Sequence, residues 1–114
     1  MNTRQLASRK DQILRELASL GPMRKGCVSQ QYVESVLKDG SVRRRGPYAL
    51  YTFKENGKTK SRRLRDGAQA ALYTKQIAAF RRFQELTGEL AQLSQRLADL
   101  EAEDPAQGKK NSRR

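Results

Sequence analysis

The chain has 114 residues, 36% of them hydrophobic, and its 24 basic against 12 acidic residues give a net charge of +12. This length suits one domain with an extension, the low hydrophobic content predicts a thin core, and the positive charge attracts polyanions. The sequence contains no His and one Cys, which removes the commonest general base and any internal disulfide or zinc cage, so we expect no enzymatic activity, no metal and no cofactor or other small molecule.

Residues 1–21 are predicted to form an N-terminal helix. Apolar residues recur there at helical spacing and form one stripe, while charged residues occupy the other faces. The stripe consists of Leu6, Ile13, Leu14, Leu17 and Leu20. Asn2 or Ser8 is expected to cap this helix, and Gly21, in a left-handed conformation and followed by Pro22, is expected to end it.

Residues 26–65 are predicted to form a basic β-hairpin region. Branched residues favour a strand over 27–33, although the apolar spacing that follows also fits a helical turn, and the Lys-Asp-Gly sequence at 38–40 indicates a turn. The pair Asn56-Gly57 is typical of a type I′ hairpin turn, because both central residues of that turn need a positive φ.

A two-residue turn at Asn56-Gly57 also fixes the register and the faces of the hairpin. On the expected core side it pairs Phe53 with Lys60, Tyr51 with Arg62 and Ala49 with Leu64, the two cations extending from the edge. On the other side it pairs Thr52 with Ser61 and Leu50 with Arg63, and that side also carries Lys54, Tyr48 and Arg65. The charge here is one-sided, since residues 43–65 hold nine basic side chains and one acidic one.

Residues 66–104 are predicted to form one long helix. Asp66 and Gln69 form a capping pair at its start. The residues expected to cover the core side of the hairpin are Ala71, Leu72, Ile77 and Phe80. A seam with the 3-4-3-4-3 spacing of coiled-coil a and d positions follows and consists of Phe83, Leu86, Leu90, Leu93, Leu97 and Leu100. Two packing partners stay open for this seam. One is a second chain, in a homodimer or with another protein, and the other is the stripe of the N-terminal helix.

Residues 105–114 form a basic tail that is expected to be disordered when free. It could follow a nucleic-acid backbone or act as a solubilising terminus. No apolar run in the chain reaches the length of a membrane span, and the first twenty residues lack the apolar core of a signal peptide, so we expect a cytoplasmic protein.

The hairpin and the helix after it resemble a family of small uncharacterised bacterial and archaeal proteins associated with transposase-bearing mobile elements. The resemblance runs from about residue 26 to residue 97 and rests on a Gly-Pro-Tyr strand, a Lys-x-Asn-Gly-Lys-Thr turn and an Arg-Arg-Phe helix. The matching residues are Gly46, Pro47, Tyr48, Tyr51, Lys54, Asn56, Gly57, Lys58, Thr59, Arg82 and Phe83. Many members of that family carry a cysteine cluster before the Gly-Pro-Tyr sequence, and this chain has Arg43–Arg45 in that region instead. A weaker resemblance links the hairpin to the arm-binding domains of phage-type integrases.

We therefore expect an α+β fold with an N-terminal helix, a small antiparallel sheet of two or three strands and a long C-terminal helix with a coiled-coil seam. The expected function is non-catalytic binding of nucleic acid, preferably duplex DNA, as an accessory or regulatory factor of a mobile element. The contacts are expected from Arg43, Arg44, Arg45, Lys54, Lys58, Lys60, Arg62, Arg63 and Arg65, flanked by Lys75, Arg81 and Arg82.

Two alternatives stay open at this point. The first is an RNA-binding protein that stacks bases on Tyr48, Tyr51 or Phe53, and exposed rings on the basic face would favour it. The second is an assembly adaptor whose leucine seam recruits a protein partner and whose charge is incidental. An exposed, unoccupied seam would favour the adaptor.

Overall fold

The computed structural model describes residues 2–103, so the predicted tail lies outside the described residues. In chain order the protein has a helix, three strands and a second helix, and the strands form an antiparallel sheet in the order β1-β2-β3. The elements are α1 (Thr3–Ser19), β1 (Cys27–Val36), β2 (Val42–Glu55), β3 (Lys58–Arg63) and α2 (Gly67–Glu103). The predicted α+β class and order of elements are confirmed, and residues 27–33 form a strand that continues to Val36.

The chain divides into two compact units. The helical unit contains α1 and the part of α2 from residue 81 onward, whereas the sheet unit spans residues 21–80 and contains the three strands with the first part of α2. A thin core is therefore split in two, and each unit has its own small group of buried side chains.

Helix α1 begins with a reciprocal cap and ends before its glycine. The Gln5 N–H donates to the Asn2 side chain at 2.8 Å, and the Asn2 N–H donates to the Gln5 side chain at 3.0 Å, so Asn2 is the cap and Ser8 lies inside the helix. The prediction of a left-handed Gly21 was wrong. Leu20 is already extended, with φ −67° and ψ 136°, and the ring of Pro22 disfavours any helical conformation at the residue before it.

The leucine seam packs within the chain against α1. Leu86 and Leu93 of α2 are buried together with Leu6 and Ile13 of α1. Around them pack Leu17, Leu20, Leu90, Leu97 and Leu100. The structure therefore shows one of the two packing partners that the sequence left open, the stripe of the N-terminal helix. The first seam residue, Phe83, is exposed at the end of this contact.

Two ion pairs fix the antiparallel register of the helical unit. The Arg9 guanidinium donates to both carboxylate oxygens of Glu89, at 2.6 and 2.7 Å, and the Arg82 guanidinium donates to both oxygens of Glu16, at 2.5 and 2.9 Å. Hydrogen bonding to these arginines lowers the pKa of the Glu16 and Glu89 carboxyls below the usual glutamate range.

The sheet unit has an aromatic core under α2. Tyr51 and Leu64 are buried from the sheet side, and Tyr73 and Ile77 are buried from the helix side. The Tyr51 and Tyr73 rings meet edge to face with centroids 5.0 Å apart. The prediction that Ala71 and Leu72 cover the hairpin was wrong, because both are exposed. The helical face that meets the sheet runs through Ala70, Tyr73 and Ile77, so the predicted placement of Ile77 is confirmed.

Candidate nucleic-acid interface

The β2–β3 hairpin has the turn and the register that its sequence predicts. Asn56 and Gly57 both have positive φ, 53° and 79°, as a type I′ turn requires. Leu50 pairs with Arg63, Tyr51 with Arg62, Thr52 with Ser61 and Phe53 with Lys60. Beyond the last strand pair, the Leu64 N–H donates to the Ala49 carbonyl at 2.9 Å, which also agrees with the predicted pairing.

A β-bulge in β2 decides which arginines reach which face of the sheet. Gln31 pairs with Tyr48, and Val33 pairs with Arg45. Gly46 and Pro47 of β2 therefore oppose the single β1 residue that lies between Gln31 and Val33. The extra residue reverses the alternation of side chains, which puts Arg45 on the same face as Tyr48. Gly46 has φ 124°, and a Cβ there would lie 2.8 Å from the Gln31 carbonyl oxygen.

The face of the sheet turned away from α2 is termed the outer face. Neighbours across the strands share a face, so the register assigns side chains to it residue by residue. Its cations are Arg43, Arg45, Lys54 and Arg63, and its polar residues include Gln31, Tyr48, Thr52, Thr59 and Ser61. The carboxylates of the three strands, Glu34 and Glu55, both lie on the opposite face.

The four outer-face cations are exposed, and within residues 2–103 no carboxylate forms an ion pair with them. The guanidinium of Arg63 lies over the Tyr48 ring, 3.5 Å from its centroid. The Thr52 and Ser61 hydroxyls are 3.3 Å apart between the strands. The outer face therefore combines cations with hydrogen-bonding side chains, and all of its charged groups on the strands are positive.

The cations on the opposite face of the hairpin contact their own chain. Lys60 forms an ion pair with Glu55 at 3.1 Å. The Arg62 guanidinium donates to the Tyr73 hydroxyl at 2.7 Å. Lys58, which faces Glu55 beside the turn, is on this same side. The hairpin arginines and lysines predicted as one set of contacts thus divide between two faces.

The remaining predicted contact residues, Arg44, Arg65 and the cations of α2, are not among the outer-face cations. Arg44 lies over the Tyr32 ring, 3.8 Å from its centroid, on the side opposite to Arg43 and Arg45. Arg65 follows β3 and lies 3.6 Å from the Asp66 carboxylate. Lys75 belongs to the sheet unit, whereas Arg81 and Arg82 belong to the helical unit, where the Arg82 guanidinium binds Glu16 and also Glu85, at 3.2 Å.

Arg24 is a structural cation that the sequence analysis did not single out. Its guanidinium lies 4.0 Å from the centroid of the Tyr73 ring and donates to the Gln76 side chain at 3.0 Å. The Tyr51 hydroxyl donates to the Lys25 carbonyl beside it. Arg24 comes after Gly21-Pro22, beyond the end of α1, in a segment without periodicity, so no local pattern indicates this contact.

The described residues form neither a metal site nor a membrane-spanning helix. Across residues 2–103, no group of three His, Cys, Asp or Glu side chains is arranged to hold a metal ion. In the same range, no helix combines the length and the apolar character needed to cross a membrane.

Comparison with known proteins gives one family. The family described as a domain of unknown function, DUF6788, matches residues 3–73. The match contains α1, the whole sheet and the start of α2, and it ends before Arg82 and Phe83. No curated protein and no solved structure matches the chain.

Proposed function

The chain belongs to the DUF6788 family, a domain of unknown function, and we propose that it binds duplex DNA through the outer face of its sheet. It acts there without catalysis, as an accessory or regulatory factor. Its connection to a mobile element is proposed only from the Gly-Pro-Tyr strand and the Lys-x-Asn-Gly-Lys-Thr turn described above.

One observation carries this proposal: the outer face holds four exposed cations and no strand carboxylate. A protein surface that is only solvated normally mixes both signs of charge. On this sheet only the outer face carries a single sign, because Glu34 and Glu55 lie on the opposite face, among the cations that contact their own chain. A face with cations alone is complementary to a phosphate backbone.

The dimensions of the face suit a duplex. At about 3.3 Å per strand residue, the stretch of β2 from Arg43 to Lys54 spans up to about 36 Å, close to one turn of B-DNA at about 34 Å. A β-ribbon also fits the major groove, which is about 12 Å wide. Arg63 is held over Tyr48, so little side-chain freedom remains to be lost when it binds a phosphate or a base edge.

The RNA-binding alternative has less support. It needs aromatic rings on the basic face, yet Tyr51 is buried on the other face and Phe53 stacks on it with centroids 4.9 Å apart. Of the three rings considered, Tyr48 is the one on the outer face, and the Arg63 guanidinium covers one side of it. The adaptor alternative needs an unoccupied leucine seam, whereas Leu86 and Leu93 are buried against α1.

The test is a titration by fluorescence anisotropy of a short labelled duplex, a single-stranded DNA of equal length and a structured RNA, each at several salt concentrations. Four phosphate contacts on a duplex predict a slope of log K against log salt of about −3 to −4. A chain ending at residue 104 is titrated in parallel, because the cations of the last ten residues are a second source of salt dependence. Duplex binding that is insensitive to salt, or tighter binding to RNA than to the duplex, would contradict the proposal.

A further inference from the structure

The distal part of the β1–β2 hairpin forms a protruding arm, defined here as residues 32–45. β3 pairs with β2 only from Leu50 to Glu55, so the strands of the arm have no third strand beside them. Every residue from Gln30 to Pro47 is exposed. Within the sheet unit, the arm is therefore a two-stranded ribbon that no other element covers.

The tip of this arm is apolar. Val36 and Val42 pair across the ribbon in the last register position before the turn, and Leu37 follows at once. Their exposed fractions are 74%, 61% and 43%. Neighbouring exposed aliphatic side chains at the end of a projecting element are unfavourable in water, and such patches usually mark a binding surface.

The turn holds the tip in one shape. The Leu37 N–H donates to the Ser41 carbonyl at 2.8 Å, and the Gly40 N–H donates to the Leu37 carbonyl at 2.9 Å. The Asp39 carboxylate accepts from the Ser41 N–H and hydroxyl at 2.9 and 2.6 Å. The only acidic side chain in the turn is thus directed into the turn itself.

Positive charge predominates around the apolar tip, although Glu34 of β1 faces Arg44. Lys38 lies in the turn, and three consecutive arginines, Arg43–Arg45, follow Val42 on β2. Their side chains alternate between the two faces of the ribbon, so both faces carry a cation just behind the tip. An apolar tip between cations is complementary to a DNA groove, where the apolar faces of stacked bases lie between two phosphate backbones.

We propose that the arm enters the DNA minor groove and inserts Val36, Leu37 and Val42 between base pairs as a wedge, while Arg43–Arg45 contact the flanking phosphates. From the bulge to the tip the arm extends about 13 Å, at about 3.3 Å per residue, against a minor-groove depth of about 7.5 Å. Apolar wedges that unstack a base step in this groove kink the duplex toward the major groove. The proposal rests on the proposed function and adds a groove, a mode of contact and a bend.

The experiment measures bending by energy transfer between dyes at the two ends of a short duplex, together with affinity and sedimentation. The triple variant Val36→Thr/Leu37→Ser/Val42→Thr removes the apolar tip, keeps branched residues in the strands and leaves every charge in place. Leu72→Ser is the matched control, because it removes an exposed aliphatic side chain of the sheet unit outside the arm. Circular dichroism checks the fold of each variant.

We expect the unaltered chain and Leu72→Ser to raise energy transfer on binding. The triple variant is expected to leave it at the value of the free duplex and to lower affinity by about tenfold, with an unchanged salt slope because no cation is lost. Salt-dependent duplex binding without any bend in the unaltered chain would overturn the wedge and leave the proposed function standing. An absence of duplex binding would overturn both, and a dimer that dissociates in the triple variant would identify the tip as a self-association contact instead.

Discussion

The guanidinium of Arg63 stacks on the ring of Tyr48, 3.5 Å from its centroid. Both side chains lie on the outer face, one from β3 and one from β2, although the two residues are not direct partners in the register. The Asn56-Gly57 turn sets the β2–β3 register that brings the ring and the guanidinium together, and the β-bulge before Tyr48 puts Arg43 and Arg45 on the same face. The set of cations on the outer face thus depends on two local features, the bulge in β2 and the turn after it.

Removing two outer-face arginines should weaken duplex binding strongly. Arg45→Gln with Arg63→Gln deletes half of the unpaired outer-face charge, and we expect a loss of at least about tenfold in affinity, about 1.4 kcal/mol, at moderate salt. The slope of log K against log salt should become shallower by about 2, since two phosphate contacts are lost. Fluorescence anisotropy over a salt series measures both quantities.

The matched control for that variant is Arg4→Gln with Arg15→Gln. These arginines are exposed on α1, so the control removes the same residue type and the same net charge from the helical unit. Its affinity should stay within about twofold, about 0.4 kcal/mol, of that of the unaltered chain. Equal losses in the two double variants would mean that net charge alone, and not the outer face, attracts the DNA.

Leu86→Ala should destabilise the helical unit without changing the mass of the protein in solution. Leu86 has no exposed surface and packs with Ile13 in the core between the helices, so truncation to alanine is expected to lower the free energy of unfolding by about 2–5 kcal/mol. Leu14→Ala, at an exposed position of α1, should change it by less than about 0.5 kcal/mol. Urea denaturation measures stability, and sedimentation tests mass. A dimer that falls apart on the Leu86 substitution would show that the seam also joins two chains.

The helical unit should lose stability in acid. The folded pKa of Glu16 and of Glu89 is lowered by the arginines that hydrogen-bond to them, so the unfolded chain binds more protons at mildly acidic pH. The stabilisation is complete above the unfolded glutamate pKa of about 4.3 and is lost as the pH falls through the lowered folded values. The melting temperature of Glu16→Gln/Glu89→Gln should be lower than that of the unaltered chain at neutral pH and should fall less steeply once the pH drops below about 4.3. Asp11→Asn, another α1 carboxylate, should keep the steep fall of the unaltered chain.

The β2–β3 register could be predicted from sequence because a two-residue turn leaves no freedom in the pairing. The β1–β2 register could not. Its strands are exposed on both faces from Gln30 to Pro47, so no apolar alternation reports which residues pair, and the Lys-Asp-Gly turn does not define a loop length. Without that register the sequence does not indicate the bulge. It therefore presents Arg43–Arg45 as one cluster, although their side chains divide between two faces.

The partner of the leucine seam was ambiguous for a different reason. A heptad of leucines has the same pattern whether it meets a second copy or a helix of its own chain. The discriminating signal was in the charges. Arg9 and Glu16 are seven residues apart on α1, and Arg82 and Glu89 are seven apart on α2, so an antiparallel pairing of the two helices satisfies both pairs at once.

Gly46→Ala should separate the geometry of the outer face from its charge. Gly46 has φ 124°, and an added Cβ would lie 2.8 Å from the Gln31 carbonyl oxygen and 3.2 Å from the Tyr32 ring, so the bulge has to shift to accept the methyl group. We expect a loss of about 2–3 kcal/mol in the free energy of unfolding. The molecules that stay folded should also bind the duplex more weakly, because the bulge determines the face on which Arg43 and Arg45 lie.

Gly88→Ala is the control: nothing lies within 4 Å of its added Cβ, and alanine inside α2 should raise stability by about 0.8–1 kcal/mol with unchanged affinity. Urea denaturation gives the stabilities, and anisotropy at low temperature, where circular dichroism verifies the fold, gives the affinities. A folded Gly46→Ala chain that binds the duplex as tightly as Gly88→Ala would mean that binding does not depend on the face to which the bulge directs these arginines.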